Sequence, residues 1–155
     1  MAKKKTEYYV NNKEFLEAIT VYRNSVIAAR ESDATRPRVP NYIGDCFLKI
    51  ATHLSYKPNF VNYMFREDMI CDGIENCLQY IDNFDPAKSK NPFAYFTQIV
   101  YFAFLRRIAK EKRQMEIRDK IIEKSGYQEV MHVDGEQNSE YNAIKARIET
   151  SQRYN

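Results

Sequence analysis

The sequence predicts an all-α protein: a compact multi-helix domain with a polar C-terminal extension. Three observations carry that prediction. Four glycines and five prolines punctuate 155 residues, too few for the many turns of an all-β fold. Apolar residues recur at spacings of three and four through four successive segments. The breaks between those segments coincide with the prolines and with Asn or Gly cap residues. A chain of this length can bury one core without disulfide or metal staples. The pattern assigns residues 1–10 to a tail carrying Lys3-Lys4-Lys5, 11–124 to the helical domain and 125–155 to an extension.

Asn11 followed by Glu14 reads as a capping box opening the first helix. Phe15, Ile19, Tyr22 and Val26 then make one face, and the helix is expected to end near Ser32. Residues 33–40 hold two prolines and no periodicity, so they are expected to form a linker. A second helix is expected over about Tyr42 to Tyr56, burying Ile43, Phe47, Ile50 and Leu54. Lys57-Pro58-Asn59 stops it, and the pattern leaves Phe60 to Met64 open between a helical turn and a lead-in.

The third helix covers roughly Phe65 to Asn83, with Ile70, Ile74, Cys77, Leu78 and Ile81 as its apolar set. At about 100° per residue, Asp68, Asp72, Glu75, Gln79 and Asp82 fall on a stripe opposite that set. Gly73 costs a helix about 1 kcal/mol against Ala, which suggests a close helix contact there. Asn91 and Pro92 suit the N-cap and first position of a fourth helix. It is expected to end between Arg113 and Lys124. Phe93, Phe96, Val100, Phe104 and Ile108 form its core stripe, and Tyr95, Ile99, Phe102, Arg106, Lys110 and Arg113 a second one. Residues 127–155 read as a loop and a short terminal helix.

Charge and cysteine usage narrow the function classes. The net charge is only +3, but basic residues concentrate at 106–113, where Glu111 is the single acid. Such a cluster is tolerable where phosphates supply the counterions, and an aromatic stretch leading into it suits stacking on single strands beside backbone contact. The acidic stripe suits either solvent or a basic partner helix. Cys46, Cys71 and Cys77 lack CxxC spacing and lie in apolar helical patterns, and no signal peptide is visible, which together suggest a reducing cytoplasm. The longest stretch without Asp, Glu, Lys or Arg, Asn91 to Leu105, is too short and too polar for a bilayer. His53 and His132 are isolated and no nucleophile–base pair or glycine-rich phosphate loop occurs, so neither a metal, a cofactor nor catalysis is expected.

Residues 65–113 carry a further pattern. Asp68-Met69-Ile70-Cys71-Asp72-Gly73, then Tyr80-Ile81-Asp82-Asn83-Phe84, then Phe93-Ala94-Tyr95-Phe96 follow one another in this order. The series resembles conserved region 2 of sigma-70-type transcription initiation factors. With YVNNKEFLEAI near the N-terminus and FLRRIAKEKR at 104–113, it is most similar to the divergent late-gene sigma factors of T-even-type bacteriophages. The resemblance covers roughly residues 8–115. It implies a protein of the infected bacterial cytoplasm that binds host core RNA polymerase through the clamp coiled coil of the β′ subunit. Asp68, Asp72, Glu75 and Gln79 would face that coiled coil. It also implies recognition and melting of a short AT-rich promoter element, with Phe93, Tyr95, Phe96 and Tyr101 on opened strands. Arg106, Arg107, Lys110 and Arg113 would hold the duplex.

Two departures matter. Housekeeping members place a Trp pair where this chain has Ile99-Val100, so no wedge is expected there. The chain ends ETSQRYN, without the acidic-hydrophobic tail with which the phage factors engage the replication sliding clamp. No second promoter-reading domain is visible, so the resemblance implies a separate phage coactivator upstream. Two other readings compete: a non-specific helical nucleic-acid-binding protein, and a polymerase inhibitor docking by its acidic stripe alone.

Overall fold

Asn11 opens the first helix, α1 (Asn12–Glu31), in the computed structural model, which describes residues 9–125 and 146–147. The Asn11 side-chain oxygen accepts from the Lys13 amide at 3.1 Å, and its amide nitrogen donates to Glu14 at 2.9 Å. The capping box is thus present in a rearranged form that satisfies one orphan backbone donor and holds an acid in the first turn. Phe15, Ile19, Tyr22 and Val26, the expected face, are all buried. After Ser32, Asp33 takes a left-handed φ of 53°. The Ala34 amide then donates back to the Ala29 carbonyl at 2.8 Å, the bond that closes a helix at such a cap.

Helix α2 (Asn41–Ser55) buries Ile43, Cys46, Phe47, Ile50, Ala51 and Leu54, which includes the whole expected set. The stretch before it is more than a linker. Arg36 donates through two nitrogens to the two carboxylate oxygens of Asp82, at 2.8 and 3.0 Å, and also to the Tyr22 hydroxyl. That hydroxyl donates in turn to the Pro37 carbonyl at 3.3 Å. Beyond α2, the amides of Phe60 and Val61 both return to the Lys57 carbonyl, so the undecided stretch is a turn, and it seats Phe60 in the core.

Helix α3 (Arg66–Tyr80) runs into a single 3-10 turn, Ile81–Asn83, and its orientation corrects the sequence expectation. The buried line is Met69, Gly73, Cys77 and Ile81, whereas Ile70 and Ile74 are half-buried and Leu78 is exposed. This core line lies roughly 60° around the helix from the centre of the expected apolar set. Gly73 is the cause. A Cβ added there would lie 3.0 Å from Val100 Cγ1 and 3.3 Å from Phe104 Cε1, so the bare backbone is the contact centre between α3 and the fourth helix. A glycine weighs nothing in an apolar pattern, and the pattern therefore points past it.

Helix α4 (Pro92–Lys124) begins at the expected cap, with the Ala94 amide donating to Asn91 Oδ1 at 3.1 Å. The Phe93 amide donates to Asn12 Oδ1, also at 3.1 Å, so the first residue of α1 caps α4 as well. Phe96, Val100, Ala103 and Phe104 are buried in full or nearly so. Phe96 meets the rings of Phe15, Phe47 and Phe84 at 5.7, 4.7 and 6.0 Å, and Cys77 Sγ lies 3.9 Å from its carbonyl oxygen. All four helices converge on this one residue, while α2 packs against both α1 and α3. No strand occurs among the described residues, and none of the described helices is long and apolar enough to cross a membrane.

The contacts divide the chain into two units, Met1–Arg107 and Ile108–Asn155; the boundary falls inside α4, whereas the sequence pattern suggests residue 125. In the second unit Arg147 Nε donates to Asp119 Oδ2 at 3.0 Å. Tyr9 and Val10, assigned above to a tail, belong to the fold: Val10 is buried and Tyr9 stacks on His53 with ring centroids 3.8 Å apart. Lys3-Lys4-Lys5 and nearly all of the expected loop and terminal helix lie outside the described residues.

The three thiols differ sharply. Burial pushes Cys77 up to about 12 and raises Cys46 as well, while Cys71 is exposed on α3. A thiol raised from 9.0 to about 12 favours the folded state at low pH, and that contribution is lost as pH rises from one value to the other. A disulfide reagent at neutral pH is expected to modify Cys71 rapidly and the other two only on unfolding. Rapid reaction of all three in the native protein would contradict this core.

Candidate functional site

The rotation of α3 redraws the surface that sequence reasoning assigned to a partner protein. Asp68, Glu75 and Gln79 are exposed as expected. They share the outer face with Glu67, Cys71 and Leu78, the last 39% exposed. This is a negatively charged ridge flanked by an apolar residue, the chemistry that suits a basic helix laid along it. Asp82, at the far end of the expected stripe, is neutralised by Arg30 and Arg36, at 3.0 and 2.8 Å.

Asp72 does not belong to the outer face, and this is a correction. It stands on the flank of α3 that looks at α4, where Arg107 Nε donates to its Oδ2 at 2.6 Å and Arg107 Nη2 to its Oδ1 at 2.7 Å. The side chains are 26% and 19% exposed. Arg107, expected on duplex phosphates, therefore serves the fold, its charge matched by a carboxylate of the same unit. A two-point guanidinium–carboxylate pair is both strong and geometrically specific.

The sequence pattern implies that Asp72→Lys leaves the fold intact. The pair predicts otherwise. Breaking a fully buried pair costs about 3–5 kcal/mol, and partial exposure reduces that here to about 2 kcal/mol. Denaturant midpoints check this: Asp72→Lys should unfold at lower denaturant, and combining it with Arg107→Asp should recover part of the loss.

The aromatic set divides likewise. Phe96 is fully buried and cannot meet a base, which corrects its assignment to opened strands. It lies on both the core stripe and the aromatic motif, and the core holds it. Phe93 is half-buried, edge-on to Tyr9 at 5.6 Å. Tyr95 is half-buried against Phe84 and Phe96 at 5.2 and 5.0 Å, and burial, with a smaller contribution from Cys77, raises its hydroxyl pKa. Tyr101 and Phe102 are the exposed pair, 38% and 48%, with their rings 5.7 Å apart. Phe60 props Tyr101 from below at 5.7 Å.

Arg106 is exposed and donates through Nη2 to Asn76 Oδ1 at 2.8 Å. In the second unit Lys110 and Arg113 are exposed. Sequence reasoning gives no role to Asn76, Phe60 and Tyr9 and sets Leu78 in the core, where it is exposed instead. Only Phe60 and Tyr9 offered a signal, as large aromatics in stretches read as a turn and a tail. Among the described residues no group of three His, Cys, Asp or Glu side chains could hold a metal. No protein-family model matches the sequence, and no curated protein matches it significantly.

Proposed function

We propose that the protein is a promoter-specificity subunit of bacterial RNA polymerase, a sigma factor of the phage late-gene type. One observation carries the reading: the ordered sigma-like motifs fall on α3 and on the start of α4, joined by a turn, and the two helices differ in surface chemistry. The outer face of α3, with Asp68, Glu75 and Gln79 beside Leu78, is the surface for the β′ clamp coiled coil. Phe93, Tyr95 and Tyr101, together with Phe102, are the aromatics for opened promoter strands. Arg106, Lys110 and Arg113 are the cations for duplex phosphates. Upstream contacts, a phage coactivator and a sliding clamp belong to the same proposal, as does the infected bacterial cytoplasm.

Purified protein, bacterial core polymerase and an AT-rich late promoter should together give transcripts from one defined start. Tight DNA binding without core, with a steep salt dependence, would instead identify a non-specific nucleic-acid-binding protein. Core binding that only represses transcription would identify an inhibitor.

A further inference from the structure

Arg106 and Arg107 are neighbours in sequence, yet α3 treats them differently. Arg107 meets a carboxylate, Asp72, through two hydrogen bonds. Arg106 meets a neutral amide, Asn76, through one. The orientation of that amide is fixed from within α3, because Asn76 Nδ2 donates to the Asp72 carbonyl at 2.7 Å. With the nitrogen so engaged, Oδ1 is the atom turned to Arg106. A guanidinium carries five N–H donors, and among the described residues Arg106 makes no other hydrogen bond or ion pair.

We infer that Asn76 is a positioning residue that aims Arg106 at a DNA phosphate, an inference that rests on the promoter-binding reading above. A carboxylate at 76 would hold the guanidinium but cancel its charge, as Asp72 does for Arg107. A neutral acceptor orders the side chain and leaves its charge to the phosphate. Ordering a long side chain before binding removes an entropic cost that a free arginine meets on contact. Asn76 also shares a helical turn with Asp72, so the anchor that ties α4 to α3 and the bond that aims Arg106 are one network. The orientation of Arg106 is therefore tied to α3 itself.

The test uses full-length protein with bacterial core polymerase and a fluorescein-labelled AT-rich promoter duplex, titrated over a range of salt, with a thermal midpoint for every variant. Arg106→Ala should lower the slope of log affinity against log salt by about 1, the signature of one lost phosphate contact. Asn76→Ala should weaken binding about 3–10-fold with the slope unchanged, and should add nothing in the Arg106→Ala background. Asn76→Asp, nearly isosteric, should match Arg106→Ala in affinity and slope, because its carboxylate neutralises the arginine. A purely structural role would move the thermal midpoint and not the slope.

The inference is overturned if Asn76→Ala binds as tightly as the parent, if its effect persists without Arg106, or if Asn76→Asp keeps the parental slope. Each of those results would leave the promoter-binding reading standing. A parent protein that forms no complex with core and promoter would instead overturn that reading, and this inference with it.

Discussion

Replacing Phe96 by Ala is expected to cost about 4 kcal/mol of stability, the usual result of emptying an aromatic site in a packed core. Phe96 is fully buried and touches rings from α1, α2 and the turn before α4. The cavity would sit where those elements meet. For a protein of this size the thermal midpoint should drop by roughly 15 °C. Any loss of DNA binding should follow the loss of folded protein. Tyr101→Ala removes a ring that is 38% exposed and should lower the midpoint far less. An unchanged midpoint for Phe96→Ala, with promoter opening lost, would return that ring to the proposed DNA surface.

The second large effect is expected at Gly73. Valine there drives a branched side chain into Val100 and Phe104, both fully buried on α4. Overpacking of this kind costs about 3 kcal/mol, and a β-branched residue adds a small penalty within a helix. Gly73→Ala should fall between parent and Gly73→Val, since a helix-propensity gain of about 1 kcal/mol offsets part of the crowding. Because Val100 is itself branched and enclosed, it has no open space to move into. Equal thermal midpoints for parent and Gly73→Val would mean that α3 and α4 are not in close contact. The rotation assigned to α3 would then be wrong.

Much of the fold was legible in the sequence, because α1, α2 and α4 obey the simple rule that apolar residues at helical spacing face inward. The Asn91 cap and Pro92 follow from backbone chemistry alone and are found as expected. The pattern failed at α3, where the contact is made by an absent side chain. The close approach expected at Gly73 is present, but that expectation alone does not set the rotation of the helix. That one error carried Asp72 to the wrong face and made Arg107 look available. Pairing between helices is invisible in a single sequence, since nothing local distinguishes an acid that meets an arginine from one that meets water. The same limit hid Asn76, whose value lies in a partner 30 positions away, and Arg36, whose partner Asp82 stands 46 positions on.

What survives of the expected partner surface is smaller and more mixed: Asp68, Glu75 and Gln79 with Leu78 at its flank. It carries less charge than a stripe with Asp72 in it, but its apolar flank would give the proposed coiled coil something to bury. Affinity between the chain and purified bacterial core polymerase, with and without charge reversal on that face, tests the account most directly. Tight binding by the parent is expected, together with about tenfold weaker binding by Glu75→Lys, whose thermal midpoint should match the parent. No complex with core, or equal affinity for parent and Glu75→Lys, would contradict it.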